Sequence, residues 1–356
     1  MDKLNVLVVS GIDLGRFYLE KIPAVDPRIS LEVGVRQFID ELRRKDGKMR
    51  LADRLEAESS LWKDWQIYEG KGDLDTLLTR AEVVFGRVAL PNNLVSRAPR
   101  LKWIHIQGAG IDEFKATGML ESNVVVTNGK GTMAPFIAEH VLAFIFTMAK
   151  NVPRLLNIKQ SRKWERFKTM DLHQKTVGII GLGAIGSEIA RLSKGVGMRV
   201  IAIKRSATRR EADVSGIDEL YPRGDLIQLL SESDFVVISA PLTEETEGMI
   251  GERELRAMKS TAYLINVARG KIVDESALIK ALKEEWIAGA GIDAFDIEPL
   301  PSDSEFWELP NAILSCHMSG NTIKSRDREM ELFCENLRRF LAGEQLLNVI
   351  DKQKSY

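Results

Sequence analysis

The sequence predicts an α/β protein of two doubly wound domains, each with a parallel β-sheet covered by helices. Three observations support this fold class. The chain has 356 residues, which is long for one domain and typical of two. Short apolar runs alternate with helical stretches along most of the sequence, which is the pattern of a parallel sheet. A glycine-rich turn, Gly181 to Gly186, joins one such run to a helix.

The N-terminal part of the chain contains five apolar runs that we predict to be strands. They are Asn5 to Ser10, Leu31 to Val35, Glu82 to Phe85, Lys102 to Ile106 and Val124 to Thr127. Helical stretches separate several of them, so a parallel sheet is expected. The segment from Gln37 to about Asp64 is charged and helix-prone. We interpret it as a solvated amphipathic insertion, with a functional lid as the alternative.

A strongly apolar helix is predicted from Met133 to Lys150. Ile137, Val141 and Phe144 belong to one apolar stripe, and other apolar residues occupy the remaining faces. A helix that is apolar all round must be covered all round. Two arrangements satisfy this requirement, a core helix within one chain or a helix whose second face packs on a partner subunit. We predict a homodimer, because a symmetric dimer is the commonest way to cover an exposed apolar band.

Six further strands are predicted in the C-terminal part of the chain. They are Val177 to Ile180, Val200 to Ile203, Phe235 to Ser239, Ala262 to Val267, Ala288 to Ile292 and Ala312 to Ser315. Helical stretches separate them, which indicates a second doubly wound sheet. An amphipathic helix from about Ile323 to Leu341 follows, and we expect it to return to the N-terminal domain.

The glycine-rich turn predicts a binding site for the phosphates of a dinucleotide. Gly181 permits a tight turn, Gly183 lets a pyrophosphate approach the backbone, and Gly186 lets the helix pack closely on the strand. The helix starts near Ala184 and Ile185, where free backbone N–H groups attract an anion. A second strand follows after a unit of about 30 residues, as a dinucleotide-binding Rossmann fold requires. The alternative is a glycine-rich turn that binds no nucleotide.

Composition argues against several other classes of protein. The chain has 50 Lys and Arg residues and 51 Asp and Glu residues, so no overall positive charge favours nucleic acid or an anionic membrane. Two cysteines, Cys316 and Cys334, form neither a disulfide scaffold nor a zinc motif, and we predict no metal site. Nowhere do about 18 apolar residues run together, and the N-terminus does not resemble a signal peptide. We therefore expect a cytoplasmic protein whose partners are small molecules or proteins.

Three polar residues follow successive predicted strands and suit one reaction. Arg269, Glu298 and His317 come after the runs Ala262 to Val267, Ala288 to Ile292 and Ala312 to Ser315. A guanidinium offers a fork of donors for the carboxylate and carbonyl of a 2-oxo acid. A histidine can donate a proton as hydride reaches that carbonyl, and a neighbouring carboxylate favours the protonated imidazole.

With these motifs in place, the chain resembles the D-isomer-specific 2-hydroxyacid dehydrogenase family over nearly its whole length. The stretches Thr176 to Gly186, Ala240 to Thr246, Asn266 to Glu275 and Asp293 to Pro301 carry the match, together with His317. The resemblance implies that the catalytic residues are Arg269, Glu298 and His317. It also implies the cofactor-binding residues Gly181, Gly183, Ala184, Ile185, Gly186, Ala240, Pro241, Thr246, Val267, Ala268 and Asp293, of which Asp293 is expected to bind the nicotinamide amide.

The resemblance further implies a substrate loop and a division into domains. Backbone N–H groups of Gln107, Gly108, Ala109 and Gly110 are expected to bind the substrate carboxylate, since such a nest suits an anion. Residues 131–319 are expected to form the Rossmann dinucleotide-binding domain. This domain is inserted in a flavodoxin-like substrate domain of residues 1–130 and 320–356.

The loop after the second strand of the dinucleotide domain departs from the NAD pattern. Members of the family that use NAD carry an acidic residue at this strand end, where this chain has Lys204, Arg205 and Ser206. A cationic, hydroxyl-bearing loop suits a 2′-phosphate, so NADP(H) is favoured over NAD(H). The alternative is an ordinary basic surface loop that tolerates both cofactors.

These observations predict an NAD(P)H-dependent reductase of a small 2-oxo acid, such as glyoxylate or hydroxypyruvate. Arg269 would bind the substrate, and His317 would donate the proton with the support of Glu298. The alternative is a nucleotide-sensing binding protein on the same fold, of the type of the C-terminal-binding-protein corepressors. The chain shows no obvious appended interaction module, which favours the enzyme.

Overall fold

A computed structural model describes most of the chain. The described residues are 3–9, 16–44, 51–53, 55–56, 65–87, 89–110, 112–214 and 216–352. Much of the charged segment from Gln37 to Asp64 therefore lies outside the described residues. The chain divides into two compact units, which we call unit 1 (Met1–Thr132 with Thr322–Tyr356) and unit 2 (Met133–Asn321).

Unit 1 contains a sheet of five parallel strands. The strands are β1 (Leu4–Val8), β2 (Ile29–Val33), β3 (Val83–Gly86), β4 (Trp103–Ile106) and β5 (Val125–Asn128). Their order across the sheet is β2-β1-β3-β4-β5. This is the order of flavodoxin-like folds, as the sequence predicts, and its switch point lies between β1 and β3. The strands are mostly buried, because helices cover both faces of such a sheet.

The helices of unit 1 cover its sheet and include the end of the chain. They are α1 (Arg16–Leu19), α2 (Val35–Arg44), α3 (Leu74–Arg80), α4 (Leu94–Arg97) and α11 (Ile323–Ala342), with 3₁₀ turns at Trp65–Tyr68 and Asp112–Thr117. Helix α11 begins with a capping box between Thr322 and Ser325 and ends at Gly343, which has a φ of 70°. Its apolar face enters the core, where the Phe333 ring lies 4.7 Å from that of Phe85.

Unit 2 contains a sheet of eight strands. They are β6 (Thr176–Ile180), β7 (Arg199–Ile203), β8 (Glu211–Val214), β9 (Ile217–Tyr221), β10 (Phe235–Ile238), β11 (Tyr263–Asn266), β12 (Gly289–Ile292) and β13 (Ala312–Leu314). The order is β13-β12-β11-β10-β6-β7-β9-β8. All neighbours are parallel except the pair β8 and β9. The run from β9 through β7, β6, β10 and β11 to β12 has the order of a Rossmann fold, which confirms the predicted fold class.

The hairpin of β8 and β9 is the main difference from the predicted set of strands. The sequence predicts six strands here, and the structure adds Glu211–Val214 and Ile217–Tyr221. Both are short and rich in carboxylates, so they lack the apolar runs that mark a buried strand. Gly216 turns the hairpin with a φ of 77°. Strand β8 lies at the edge of the sheet, where a polar strand is favoured.

The helices of unit 2 include the predicted apolar helix. They are α5 (Ala134–Ala149), α6 (Val152–Gln160), α7 (Ala184–Gly195), α8 (Leu226–Glu232), α9 (Glu252–Ala257) and α10 (Glu275–Lys283), with 3₁₀ turns at Arg223–Asp225, Gly270–Ile272 and Glu305–Glu308. Most apolar residues of α5 are buried within unit 2, and Glu139, Ala143 and Phe146 form its exposed stripe. The helix is therefore mainly a core helix of one chain.

The next segment is exposed instead. Helix α6 has no buried residue, and Leu155, Leu156 and Trp164 have exposed fractions of 48%, 53% and 94%. Within the described residues, no single helix is long and apolar enough to cross a bilayer. Helices α5 and α6 pass such a test only as a pair, and they are bent by 59° at their junction.

Candidate active site

The glycine-rich turn lies at the carboxyl end of β6, at the centre of the unit 2 sheet. Gly181 has a φ of 101°, and a Cβ there would lie 2.7 Å from the backbone of Ala240. A Cβ on Gly186 would overlap the carbonyl oxygen of Gly181, so helix and strand pack as closely as the sequence predicts. Above Gly183 there is nothing within 4 Å of an added Cβ. The turn is therefore tightly packed at Gly181 and Gly186 and open at Gly183.

This open side fits the phosphates of a dinucleotide. Helix α7 starts at Ala184, and its N-cap residue Gly183 makes no side-chain cap. The first N–H groups of the helix therefore lack the usual partner, and the helix dipole attracts negative charge to them. Ile185 is half-buried beside them. The residues present suit a pyrophosphate group.

The basic loop follows β7 directly. Lys204, Arg205 and Ser206 are all exposed. Arg209 and Arg210, close behind, have carboxylate partners, at 3.3 Å from Glu211 and 2.5 Å from Asp225 respectively. The first three residues thus make up the cationic end of β7.

The loop after β10 carries three residues of the predicted cofactor set. Ala240 lies against the glycine turn, and Pro241 is exposed. The Thr246 hydroxyl donates to the carbonyl oxygen of Pro241 at 2.7 Å, and it accepts from the N–H of Thr243 at 2.8 Å. Thr246 therefore closes this loop upon itself, a structural use that the sequence does not reveal.

Asn266 shapes the turn that carries Arg269. Its amide donates to the carbonyl oxygen of Arg269 at 2.9 Å, and its side-chain oxygen accepts from the N–H of Ala268 at 3.0 Å. Ala268 and the preceding Val267 are buried. A Cβ on Gly270 would overlap the backbone of Phe295, so this glycine lets the turn pack against the chain after β12. Asn266 and Gly270 therefore hold the backbone of Arg269 in place, and they are the first and last residues of one sequence motif.

Glu298 and His317 form the pair that the sequence predicts. His317 Nδ1 lies 2.8 Å from Glu298 Oε2 and 3.0 Å from Oε1. Glu298 also accepts from the N–H of Phe295 at 3.0 Å. Burial by itself would raise the pKa of Glu298, but His317, the Phe295 N–H and the charge of Arg269 outweigh it and hold the pKa below its usual value. Glu298 is therefore ionised at neutral pH.

Asp293, at the end of β12, organises the loop that carries His317. It is fully buried, and its carboxylate accepts from Ser315 Oγ at 2.5 Å, Met318 N at 2.9 Å and Ser319 N at 3.1 Å. Burial would raise the pKa of Asp293, but these hydrogen bonds outweigh it and lower the pKa. His317 itself has a φ of 49°, a left-handed conformation that this network supports.

Thus the carboxylate expected to bind the cofactor amide is engaged inside the protein. The Ser315 hydroxyl and the N–H groups of Met318 and Ser319 donate to it, and all of them belong to the loop on either side of His317. His140 extends the network from α5, with Nε2 at 3.1 Å from Ser315 Oγ. Ser315 is the last residue of a predicted strand, but its role depends on contacts that spacing does not fix.

The predicted substrate loop lies in unit 1, after β4. The N–H of Gln107 donates to Gly86 O at 2.8 Å, and the N–H of Gly108 lies 3.3 Å from both carboxyl oxygens of Glu329. In the described part of the chain, the N–H groups of Ala109 and Gly110 have no protein acceptor. Two of the four predicted donors are therefore used within unit 1, and two remain for a ligand.

The geometry of unit 2 defines a class of enzyme. The open glycine turn suits a dinucleotide, and an imidazole beside an ionised carboxylate can release and recover a proton. Hydride transfer coupled to proton transfer needs both features. The class is that of the nicotinamide-dependent oxidoreductases.

Comparison with known proteins identifies the family. A family model described as "D-isomer specific 2-hydroxyacid dehydrogenase, NAD binding domain" matches residues 142–319. Glyoxylate reductase of Korarchaeum cryptofilum is 35% identical over 310 residues, which cover 83% of this chain and 90% of that protein. Glyoxylate reductase of Thermococcus gammatolerans is 38% identical over 297 residues, covering 81% and 86%. The chain belongs to the D-isomer specific 2-hydroxyacid dehydrogenase family, as the motifs indicate.

A solved structure agrees with this assignment. The D-isomer specific 2-hydroxyacid dehydrogenase from Xanthobacter autotrophicus Py2, in complex with NADPH and MES, matches with a TM-score of 0.77 and 25% identity. The match covers 99% of this chain and 100% of that one. The protein is thus an oxidoreductase with a nicotinamide cofactor that acts on the CH–OH group of 2-hydroxy acids.

Proposed function

We propose that this enzyme reduces a small 2-oxo acid, of the glyoxylate or hydroxypyruvate type, to the 2-hydroxy acid. The contact of His317 Nδ1 with Glu298 Oε2 at 2.8 Å carries the proposal, because it pairs a proton donor with an ionised carboxylate. The names of the relatives, which are glyoxylate reductases, support the substrate class.

His317 supplies the proton in this proposal. Its Nδ1 faces Glu298, which leaves Nε2 to face the substrate carbonyl. The Glu298 carboxylate faces Nδ1 and orients the ring for proton transfer. When bound, the nicotinamide supplies the hydride. After release of the product, the imidazole recovers its proton from water.

Each unit has groups that can bind a substrate of this class. In unit 2, the Arg269 guanidinium offers parallel N–H donors suited to the carboxylate and adjacent carbonyl oxygen of a 2-oxo acid. In unit 1, the N–H groups of Ala109 and Gly110 suit a carboxylate as a small anion nest. We assign unit 1 as the substrate domain and unit 2 as the dinucleotide domain, with the phosphates at Gly183 to Gly186.

A substrate and cofactor screen tests this function. The purified enzyme is expected to oxidise NADPH in the presence of glyoxylate or hydroxypyruvate, with micromolar to millimolar KM values typical of metabolic enzymes. Binding of cofactor without turnover of any of a panel of 2-oxo acids would contradict the proposal. That result would favour a nucleotide-sensing protein on the same fold.

We propose that NADP(H) is preferred over NAD(H). Lys204, Arg205 and Ser206 are exposed at the end of β7, and none of them is a carboxylate that could bind the ribose hydroxyls of NAD. A guanidinium pairs well with a 2′-phosphate. The Xanthobacter relative with bound NADPH is consistent with this preference.

The variant Arg205→Asp tests the cofactor preference. Loss of a charge-assisted contact of about 1.5 to 3 kcal/mol should lower the relative efficiency with NADPH roughly ten- to a hundredfold and improve that with NADH. Arg209→Asp is the matched control, because it makes the same change of charge at an exposed arginine farther from the end of β7. A wild-type preference for NADH, or equal effects of both substitutions, would refute the assignment to Arg205.

We also propose a homodimer. Phe146, Leu155, Leu156 and Trp164 are large apolar residues of neighbouring segments in unit 2, with exposed fractions of 41% to 94%. Exposed apolar side chains in such number are typical of a protein interface. Light scattering at micromolar concentration should give twice the chain mass of 39.9 kDa. A monomer mass would contradict the dimer, and Trp164→Ser should lower its stability.

A further inference from the structure

A buried carboxyl group lies directly behind the loop to which we assign the substrate carboxylate. Glu329, on α11, is only 1% exposed. Its two oxygens each lie 3.3 Å from the N–H nitrogen of Gly108. Its Oε1 also contacts the hydroxyl of Thr132. One side chain from the end of the chain therefore bridges two loops that follow β4 and β5.

The surrounding backbone is shaped to hold this group. A Cβ added to Gly129 would overlap both oxygens of Glu329, so only glycine leaves room for the carboxyl group. The N–H of Gly129 donates to Gly108 O at 2.7 Å, which ties the same two loops directly. The carboxyl group thus sits in a cradle of Gly108, Gly129 and Thr132.

The number of available protons indicates that Glu329 is neutral in this cradle. The Thr132 hydroxyl has one proton, and its oxygen lies 2.6 Å from the carbonyl oxygen of Gly129, which can only accept. If that proton goes to Gly129, the contact between Thr132 and Glu329 needs a proton from the carboxyl group. A neutral Glu329 can donate to Thr132 and accept from Gly108, so every contact is satisfied.

The electrostatic environment agrees with this arrangement. Burial raises the pKa of Glu329 to about 7, although the Gly108 N–H and the charge of Arg87 act in the opposite direction. Arg87, which follows β3, is the charged side chain that acts on Glu329 among the described residues. Its charge does not offset the cost of burial.

We propose that Glu329 is a positioning residue of the substrate loop, which it holds through a protonated carboxyl group that bridges Gly108 and Thr132. This inference rests on the proposed function of the loop. With Gly108 tied back, the next two N–H groups, those of Ala109 and Gly110, stay available in one fixed conformation for the substrate carboxylate. The proton on Glu329 also keeps a second negative charge away from that carboxylate.

Two consequences distinguish this role from a merely structural one. Loss of the hydrogen bond between the Gly108 N–H and Glu329 should weaken substrate binding. It should leave the chemical step nearly unchanged, because Glu298 and His317 belong to unit 2. Loss of the proton should weaken binding as the pH rises, because an ionised Glu329 repels the substrate carboxylate. A 2-oxo acid such as glyoxylate is already ionised above pH 5, so the substrate does not titrate in this range.

Steady-state kinetics of two variants test the proposal. Glu329→Ala should raise the KM for the 2-oxo acid by about tenfold, the effect of one lost buried hydrogen bond, with kcat within about threefold of wild type. Glu329→Gln keeps an acceptor for Gly108 without a titrating proton. The ratio of wild-type KM to that of Glu329→Gln should rise about threefold or more between pH 6 and pH 8.5.

Controls separate this inference from the proposed function. Glu335→Gln removes a half-buried carboxylate from the same helix and should leave both constants unchanged. Binding of NADPH, measured by fluorescence, should be equal in all variants. An unchanged KM in Glu329→Ala, or a KM ratio for Glu329→Gln that stays flat with pH, would overturn the role of Glu329. If Glu329→Ala does not fold, the Glu329→Gln ratio decides alone. A wild-type enzyme without turnover would instead refute the proposed function.

Discussion

Glu298 in unit 2 and Glu329 in unit 1 are the same side chain in two environments that favour opposite charges. Glu298 is partly exposed and contacts His317, and the positive charge of Arg269 also acts on it. Glu329 is buried against a hydroxyl and a backbone N–H. As a result the pKa of Glu298 is lowered, whereas that of Glu329 is raised to about 7.

The difference shows which property of a site decides the charge of a carboxyl group. Burial disfavours the ionised form in both cases, and both groups accept one backbone N–H. The hydrogen bond with His317, the Phe295 N–H and the charge of Arg269 together keep Glu298 ionised. One unit therefore holds a carboxylate that supports a proton donor, and the other holds a carboxylic acid that shapes a loop.

Removal of the imidazole should have the largest effect. His317→Asn eliminates the proton donor, and it removes the ring whose Nδ1 contacts Glu298. We expect kcat/KM for reduction to fall by about 100- to 10,000-fold, the range for loss of a general acid. Binding of NADPH should persist. Activity within fivefold of wild type would exclude His317 as the donor.

The difference in unfolding free energy between Glu329→Gln and wild type should depend on pH in a defined direction. A raised pKa means that the folded state holds its proton more tightly than the unfolded state, whose ordinary value is 4.5. Stability from Glu329 is thus fully present below pH 4.5 and lost as the pH rises through 7. Relative to wild type, Glu329→Gln should gain up to about 3 kcal/mol of unfolding free energy between pH 5 and pH 8.

Urea unfolding at several pH values measures this difference. Glu335→Gln serves as the control, because Glu335 is half-buried on the same helix and paired with Arg339. A constant difference between Glu329→Gln and wild type at all pH values would mean that Glu329 does not titrate between 4.5 and 7. The contrast with Glu298 would then be lost.

The loop network of Asp293 should give the smallest effect. Ser315→Ala removes one of three donors, and Met318 and Ser319 retain theirs. The expected loss of stability is about 1.5 to 3 kcal/mol, with a several-fold lower kcat because the His317 loop loosens. Thermal unfolding and kinetics measure both. An unchanged kcat would separate the network from the position of His317.

Much of the fold and part of the candidate site could be predicted from local sequence. Both sheets follow from apolar runs, and the roles of Gly181 and Gly186 follow from a turn between strand and helix. Glu298 and His317 meet because parallel strands end at one edge of a sheet. The hairpin of β8 and β9 cannot be predicted from local sequence, because its short, acidic strands lack an apolar pattern.

Other features depend on contacts that no local pattern encodes. Glu329 reaches Gly108 across 221 positions of the chain, and on α11 it reads as an ordinary charge of an amphipathic helix. Asp293 lies in a sequence motif. Its hydrogen-bond donors, however, come near it only when the loop around His317 folds. Long-range polar contacts of this kind can be identified only in the folded structure.

The pH dependence of reduction by Glu298→Gln tests the central claim most directly. The substitution keeps the shape of Glu298 but removes the negative charge that favours a proton on His317. In wild type, kcat/KM for the 2-oxo acid should fall at alkaline pH, as expected of a reaction that needs a general acid. In Glu298→Gln this fall should begin at lower pH, because the carboxylate that faces the proton donor is gone. Superimposable pH profiles of the two enzymes would contradict the pairing of Glu298 with the proton donor.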